Sequence, residues 1–326
     1  MRKNLAYFSF IAAAALLTGC FKTEVTSSPI SFNPVAAKAT RAIIQGTTYP
    51  EGESFLVCSY HNGTTAYFSD LIASYTTTVN GTKLWETSST EYWPLAGSLD
   101  FTAYSPANVN TTQADDIVDI THEHGVVAAG YTIQNATQLT TDLCCAAATV
   151  ADCANHPEYV SLAFSHALSQ VVFRVAAADY HDNTTISLSS LSASGICSVG
   201  DLSDGAWSNQ TSEHTYPITS TPTTLTYGAG NVPDTLTLCS YLFVPQTLGA
   251  NAALNVGYSL TQTVNATPYT IDYSESPVAI HLGGTIAQWQ PGKKYIYTLI
   301  IGLNNLITFT ATAAAWNETD AGVVVE

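Results

Sequence analysis

Positive charge is what this 326-residue chain has least of, with nine lysines and arginines against 25 acidic residues and a formal net charge of −16. Past residue 41 only Lys83, Arg174, Lys293 and Lys294 remain, against 24 acidic groups. Phosphate recognition needs basic patches, so nucleic acid is not an expected partner. Charged residues of both signs make up 10% of the chain, and its polar surface must come from Thr, Ser, Asn and Gln. No Gly-x-Ser-x-Gly elbow, phosphate loop, dinucleotide fingerprint or zinc-hydrolase motif occurs, so neither catalysis nor a cofactor is expected. The leading apolar run, Leu5 to Leu17, is too short to span a bilayer comfortably.

That run follows Arg2 and Lys3 and ends in Leu17-Thr18-Gly19-Cys20, which reads as a lipobox. Cys20 is then a lipid anchor and the mature chain is exported; a plain signal-anchor helix is the weaker reading. Arginine is confined to Arg2, Arg41 and Arg174. Arg2 falls in the leader and Arg174 inside an apolar strand pattern, which leaves Arg41 as the arginine expected at the surface and open to proteolysis. Six further cysteines follow: Cys58, Cys144, Cys145, Cys153, Cys197 and Cys239. In an exported chain they permit disulfides, with free buried thiols as the alternative.

The body is rich in Thr, Val, Tyr and Ile and punctuated by Gly, Pro and Asn, a composition that favours strands. Ile30 to Val35 reads as a short strand. In Glu53 to Tyr60, Phe55 and Val57 share one face while Leu56, Cys58 and Tyr60 share the other. Asn62-Gly63 and Asn80-Gly81 are hairpin signals. Leu99, Phe101 and Ala103 share a face, as do Val171, Phe173 and Val175. Residues 108–119 read as a surface loop, and further strands are expected at Ile186–Leu191, Leu236–Val244, Leu254–Leu260, Tyr269–Tyr273 and Val278–Leu282. The cleanest alternation is Tyr295, Tyr297, Leu299, Ile301 and Leu303, repeated at Ile307 to Ala315. Many short strands with turn residues between them predict an all-β chain of two sandwiches. The expected division is a leader over 1–20, a tether with a first strand over 21–41, and sandwich domains over 42–158 and 159–326.

Candidate chemistry is sparse. His122 and His124 flank Glu123 and on a strand would face the same way, making them weak metal candidates, with Asp115, Asp116 and Asp119 nearby as weak ligands for a hard cation. A solvated acidic loop is the simpler reading. His166 reads as a packing or hydrogen-bonding histidine at a strand start. The sequons at Asn62, Asn80 and Asn183 mark turns more simply than glycans.

Several stretches taken in order carry a resemblance. These are YWPLAGSLDFTAYSP (92–106), SLAFSHALSQVVFRV (161–175), LFVPQ (242–246), WQPGKKYIYTLII (289–301) and ITFTATAAAW (307–316), behind the lipobox and Thr40-Arg41-Ala42. Together they resemble the fimbrillin-like, or Mfa-like, family of Bacteroidales. The resemblance implies two transthyretin-like β-sandwich domains in tandem and a role as a type V pilus subunit, shaft or tip. It implies an outer-membrane lipoprotein at the cell surface that an Arg-specific protease cuts between Arg41 and Ala42. Ile30, Phe32 and Val35 would mark the displaced strand, and Val323, Val324 and Val325 the donor strand passed to a neighbouring subunit. The tail after Trp316 is short, which suits a tip or anchored subunit equally well. The alternative is an anchored lipoprotein that keeps residues 21–41 and binds glycan or host protein through loops at 87–92 or 108–124.

Overall fold

Short turns with residues in the left-handed region fold this chain into hairpins. Asn80-Gly81 (φ 48° and 83°), Asp204-Gly205 (53° and 70°) and Asn265-Ala266 (49° and 62°) each join two antiparallel strands directly, and Asn62-Gly63 (52° and 71°) opens a slightly longer turn. Positive φ at both central residues matches the right-handed twist of the flanking strands, so the Asn-Gly signals mark hairpins as expected.

The computed structural model describes residues 28–39, 46–113, 117–133, 142–178, 180–284, 286–303 and 307–315. The first half holds β1 (Phe32–Ala39), β2 (Gly46–Thr48), β3 (Ser54–His61), β4 (Thr65–Val79), β5 (Thr82–Thr87) and β6 (Leu99–Ser105). It continues with β7 (Val118–Thr121), β8 (Gly125–Thr132), β9 (Cys144–Val150) and β10 (Val160–His166). The second half holds β11 (Ser169–Ala177), β12 (Thr184–Ser203), β13 (Ala206–Thr219), β14 (Thr223–Thr224) and β15 (Thr235–Phe243). It ends with β16 (Ala253–Val264), β17 (Thr267–Asp272), β18 (Val278–His281), β19 (Lys293–Ile301) and β20 (Ile307–Ala315).

All-β is correct, but the tandem of transthyretin-like sandwiches is not. Strands β10, β9, β6, β3, β4, β5 and β1 are hydrogen-bonded in that order, and β1 pairs again with β10. Seven strands therefore close on themselves as a barrel, with β2 added alongside β1. The cause is one long-range pairing that joins the first strand to the last, which removes both sheet edges. Large rings fill the interior: Phe32, Tyr49, Phe55, Trp85, Phe101 and Phe164 are all essentially inaccessible to solvent.

Beyond β10 the chain builds two facing sheets. One runs β15-β11-β19-β20, and the other runs β17-β16-β12-β8-β7, with β13 and β14 also on β12 and β18 also on β16. Val171, Phe173 and Val175 of β11 and Tyr295, Tyr297 and Leu299 of β19 pack in one core with Leu188 and Leu191 of β12 and Val256 and Tyr258 of β16. The twenty-residue β12 bends at a register shift between Ala193 and Ile196. Gly195 there has φ +67°, and a β-carbon would lie 2.2 Å from the carbonyl oxygen of Asn251, so only glycine fits.

A third core joins the two units. The hairpin β7–β8 lies between barrel strands in sequence yet pairs with β12. Its Val118, Ile120 and Val126 pack with Cys58 and Tyr104 on the outside of the barrel and with Leu242 and Val244 beyond it. Strand β3 is consequently buried on both sides, with Phe55 and Val57 in the barrel and Cys58 in the joint.

Candidate functional site: the strand that closes the barrel

Strand β1 is the closing element. Its residues Phe32 to Ala36 run parallel to Val160 to Phe164 of β10, in the register Phe32 to Val160 and Ala36 to Phe164. On its other side Val35 and Ala39 pair antiparallel with Thr48 and Gly46 of β2, and a single pair, Phe32 with Trp85, ties it to β5. The segment just before it continues the seam: Ile30 N donates to Glu91 O at 2.7 Å, and Trp93 N donates to Ser28 O at 3.1 Å. Val160 N donates to Ser31 O at 2.8 Å on the β10 side.

The side chains follow the pleat. Ile30 and Phe32 point into the barrel core, and Phe32 meets Phe55 and Phe101 edge-on with ring centroids 5.7 Å apart in both pairs. Val35 lies half-buried on the opposite side. Strand β10 alternates strictly, with Val160, Leu162 and Phe164 buried and the residues between them exposed. Its pairing with β9 is confined to Ser165 and His166. The backbone of 160–164 is therefore satisfied chiefly by β1, and loss of β1 would leave an unpaired edge over an aromatic interior.

Ile30, Phe32 and Val35 thus sit together at the seam. Cys20, Arg41, Ala42, Asp115, Asp116 and Val323 to Val325 lie outside the described residues. His122 and His124 occupy the turn between β7 and β8 and engage separate partners: His122 bonds to the carbonyl of Gly63, and His124 Nδ1 lies 3.0 Å from Asp204 Oδ2. Asp119 Oδ1 accepts from the amide of Ile120 at 2.7 Å. The six cysteines from Cys58 to Cys239 are free thiols. His166 ends β10 buried, beside Asp142 and Cys144, a grouping that sequence reading missed because it depends on the β9–β10 register. Its one visible trace was Asp-x-Cys, two side chains on the same face of an extended segment.

Comparison with known proteins starts from residues 40–316, which match the family model described as fimbrillin-like. The chain belongs to the fimbrillin-like family. Its members are structural, not catalytic, proteins. Two solved structures share the fold of this fimbrillin-like chain. A proposed cell adhesion protein from Bacteroides ovatus is 17% identical with a TM-score of 0.50, over 90% of this chain and 99% of that one. A second, from Bacteroides eggerthii, is 14% identical with a TM-score of 0.51, over 89% and 96%. No curated protein matches the chain.

Proposed function

We propose that this fimbrillin-like chain is a structural subunit of a surface fimbria, matured by an Arg-specific protease that cuts between Arg41 and Ala42 and assembled by strand exchange. The observation that carries the reading is the position of β1: it closes the barrel, and it ends at Ala39, two residues before Arg41. A cut there severs the whole of β1 from the body and takes away the partner of both β10 and β2. The open seam then accepts an extended strand from another copy, whose backbone restores the hydrogen bonds and whose alternate side chains refill the space left by Ile30 and Phe32. Head-to-tail donation is heterologous, so it propagates a filament. In this reading Cys20 carries the lipid that holds the unprocessed subunit at the outer membrane, and Val323 to Val325 supply the donor strand. The partners are other pilus subunits, the protease and an adhesion target of protein or glycan.

The test uses protein lacking residues 1–20, treated with a trace of Arg-specific protease beside an Arg41→Ala control. A single new N-terminus at Ala42 followed by filaments in negative stain, both absent from the control, is the expected result. Resistance at Arg41 sinks the reading, and a clean cut that leaves only monomers restricts it to a tip subunit without a donor strand.

A second reading has one observation in its favour. An open groove of about 540 Å³ is lined by Asp70, Tyr104, Asn108, Asn110 and Asp119, partly from the 108–124 segment expected to bind ligand. An anchored glycan-binding lipoprotein would keep residues 21–41 on the mature surface protein and bind sugar saturably without polymerising.

A further inference from the structure

Asp142, Cys144 and His166 converge where the chain leaves the barrel. Cys144 begins β9, His166 ends β10, and the two are direct cross-strand partners. Asp142 precedes Cys144 by two positions and so shares its face. The three form a triangle of donor atoms. His166 Nδ1 lies 2.5 Å from Asp142 Oδ2, Cys144 Sγ lies 3.5 Å from His166 Nδ1, and Cys144 Sγ lies 3.7 Å from Asp142 Oδ2. All are buried, with relative exposures of 2% for Asp142, 1% for Cys144 and 7% for His166. The second carboxylate oxygen, Asp142 Oδ1, is buried with no hydrogen-bond partner among the described residues. A buried oxygen in that state is costly and calls for an explanation, of which a bound ion is one.

We propose that Asp142, Cys144 and His166 form a binding site for a borderline-soft divalent metal, zinc by preference. Tetrahedral zinc holds cysteine sulfur at about 2.3 Å and histidine nitrogen at about 2.0–2.1 Å, which separates those two atoms by about 3.5 Å. Cys144 Sγ and His166 Nδ1 already stand at that spacing. The Asp142–His166 contact is shorter, so on binding that hydrogen bond breaks: the proton between Oδ2 and Nδ1 passes to solvent or to Nε2, which frees the Nδ1 lone pair, and Asp142 turns a carboxylate oxygen to the ion, leaving the fourth position to water. Cys144 loses its proton to solvent as the metal–sulfur bond forms. Carboxylate and thiolate then balance the charge of the divalent ion inside a buried site. A thiolate ligand selects against calcium and magnesium.

The same geometry argues against a nucleophile relay. Thiol and carboxylate both face Nδ1, whereas a cysteine–histidine–aspartate relay needs a separate ring nitrogen for each. The place of the cluster gives the metal a structural role. Strands β9 and β10 share only two register pairs, and just beyond them Trp207 Nε1 donates to Ala167 O at 2.6 Å and Gly292 N donates to Leu168 O at 2.9 Å. An ion on Cys144 and His166 fastens the weakly paired end of the barrel where the second unit docks.

Cobalt and zinc titrations of the full chain, purified in detergent and stripped with chelator, test the assignment. One equivalent of Co²⁺ should give a thiolate-to-cobalt charge-transfer band that Zn²⁺ abolishes, and Zn²⁺ should raise the melting temperature. Cys144→Ala and His166→Ala should each weaken binding by about 100-fold or more. Cys145→Ser should leave it unchanged, because Cys145 packs against the joint cluster instead. Circular dichroism identifies any variant that fails to fold, and the wild-type titration stands without them. Folded wild-type chain that shows no thiolate band with cobalt, or a band that survives Cys144→Ala, overturns the proposal.

Discussion

Phe32 is fully buried and touches two rings from opposite parts of the barrel wall, Phe55 on β3 and Phe101 on β6. Its side chain thereby holds a strand that few backbone pairs hold on the β5 side. Phe32→Ala in the uncut chain should cost about 3–5 kcal/mol in urea unfolding, by lost transfer energy and the cavity left behind. A loss below about 1 kcal/mol would mean that the barrel collapses around the gap and that Phe32 does not anchor β1. The buried acids set a limit at high pH. Burial pushes the Cys58 thiol from its ordinary 9.0 up to about 11, and pushes Cys239 and Tyr216 up to about 12. Each keeps its proton longer in the folded chain than in the unfolded one. Their contribution is thus fully present below about pH 9 and lost as pH climbs towards 11–12. Melting temperatures measured upward from about pH 8 should fall once pH passes about 9, and a flat profile would contradict that assignment. Much of this was legible residue by residue. The division of β3 into a Phe55–Val57 face and a Leu56–Cys58–Tyr60 face was plain from alternation, and the structure gives each face its own core.

At the level of strands, legibility tracked β-prone composition more than burial, since the strand expected at Tyr269–Tyr273 is β17, all of whose residues are exposed. The expected strand from Tyr295 to Leu303 is β19, which ends at Ile301, and those over 236–244 and 254–260 are β15 and β16; β16 and β19 bury alternate positions, whereas the buried residues of β15 are Tyr241, Leu242 and Phe243 at its end. Strands β4 and β13 were not anticipated. Phe68 and Ala73 are the only buried residues along β4, and Tyr216 and Ile218 the only ones along β13, so backbone ladders define them and no apolar pattern does. Strand β1 was visible as Ile30 to Val35, but its parallel partner 128 residues away was not, and neither was barrel closure. The Asp142–Cys144–His166 cluster escaped for the same reason. The β1–β10 pairing makes a separate prediction about displacement as distinct from cleavage. Val35 and Ala163 are register partners on the outer side, so a Val35→Cys, Ala163→Cys pair should form a disulfide that tolerates the Arg41 cut. The severed leader should then stay attached until reductant is added, and filaments should appear only after reduction. Filaments formed by the oxidised form would show that β1 does not have to leave.

For the molecule as a whole, the closed barrel and the two-sheet unit are joined by the β7–β8 hairpin, which is borrowed from the first part of the chain to extend the sheet of the second. Opening the seam at β1 need not disturb that joint, since Val118, Ile120 and Tyr104 lie on the outside of the barrel wall. In the proposed exchange, the body would lose one strand while the joint cluster keeps its own contacts. Sequence alone supplied the strand-rich class and the family, but a barrel and a sandwich share the same alternation, and only the 32–36 with 160–164 register tells them apart. The most direct measurement is amide hydrogen exchange of residues 160–164 in three states: uncut chain, cut monomer freed of residues 28–41, and assembled subunit. Protection in the uncut chain, its loss in the cut monomer and its return on assembly is the predicted sequence. Amides of 160–164 that stay protected in the cut monomer, or stay open in the assembled form, would contradict strand exchange at this seam.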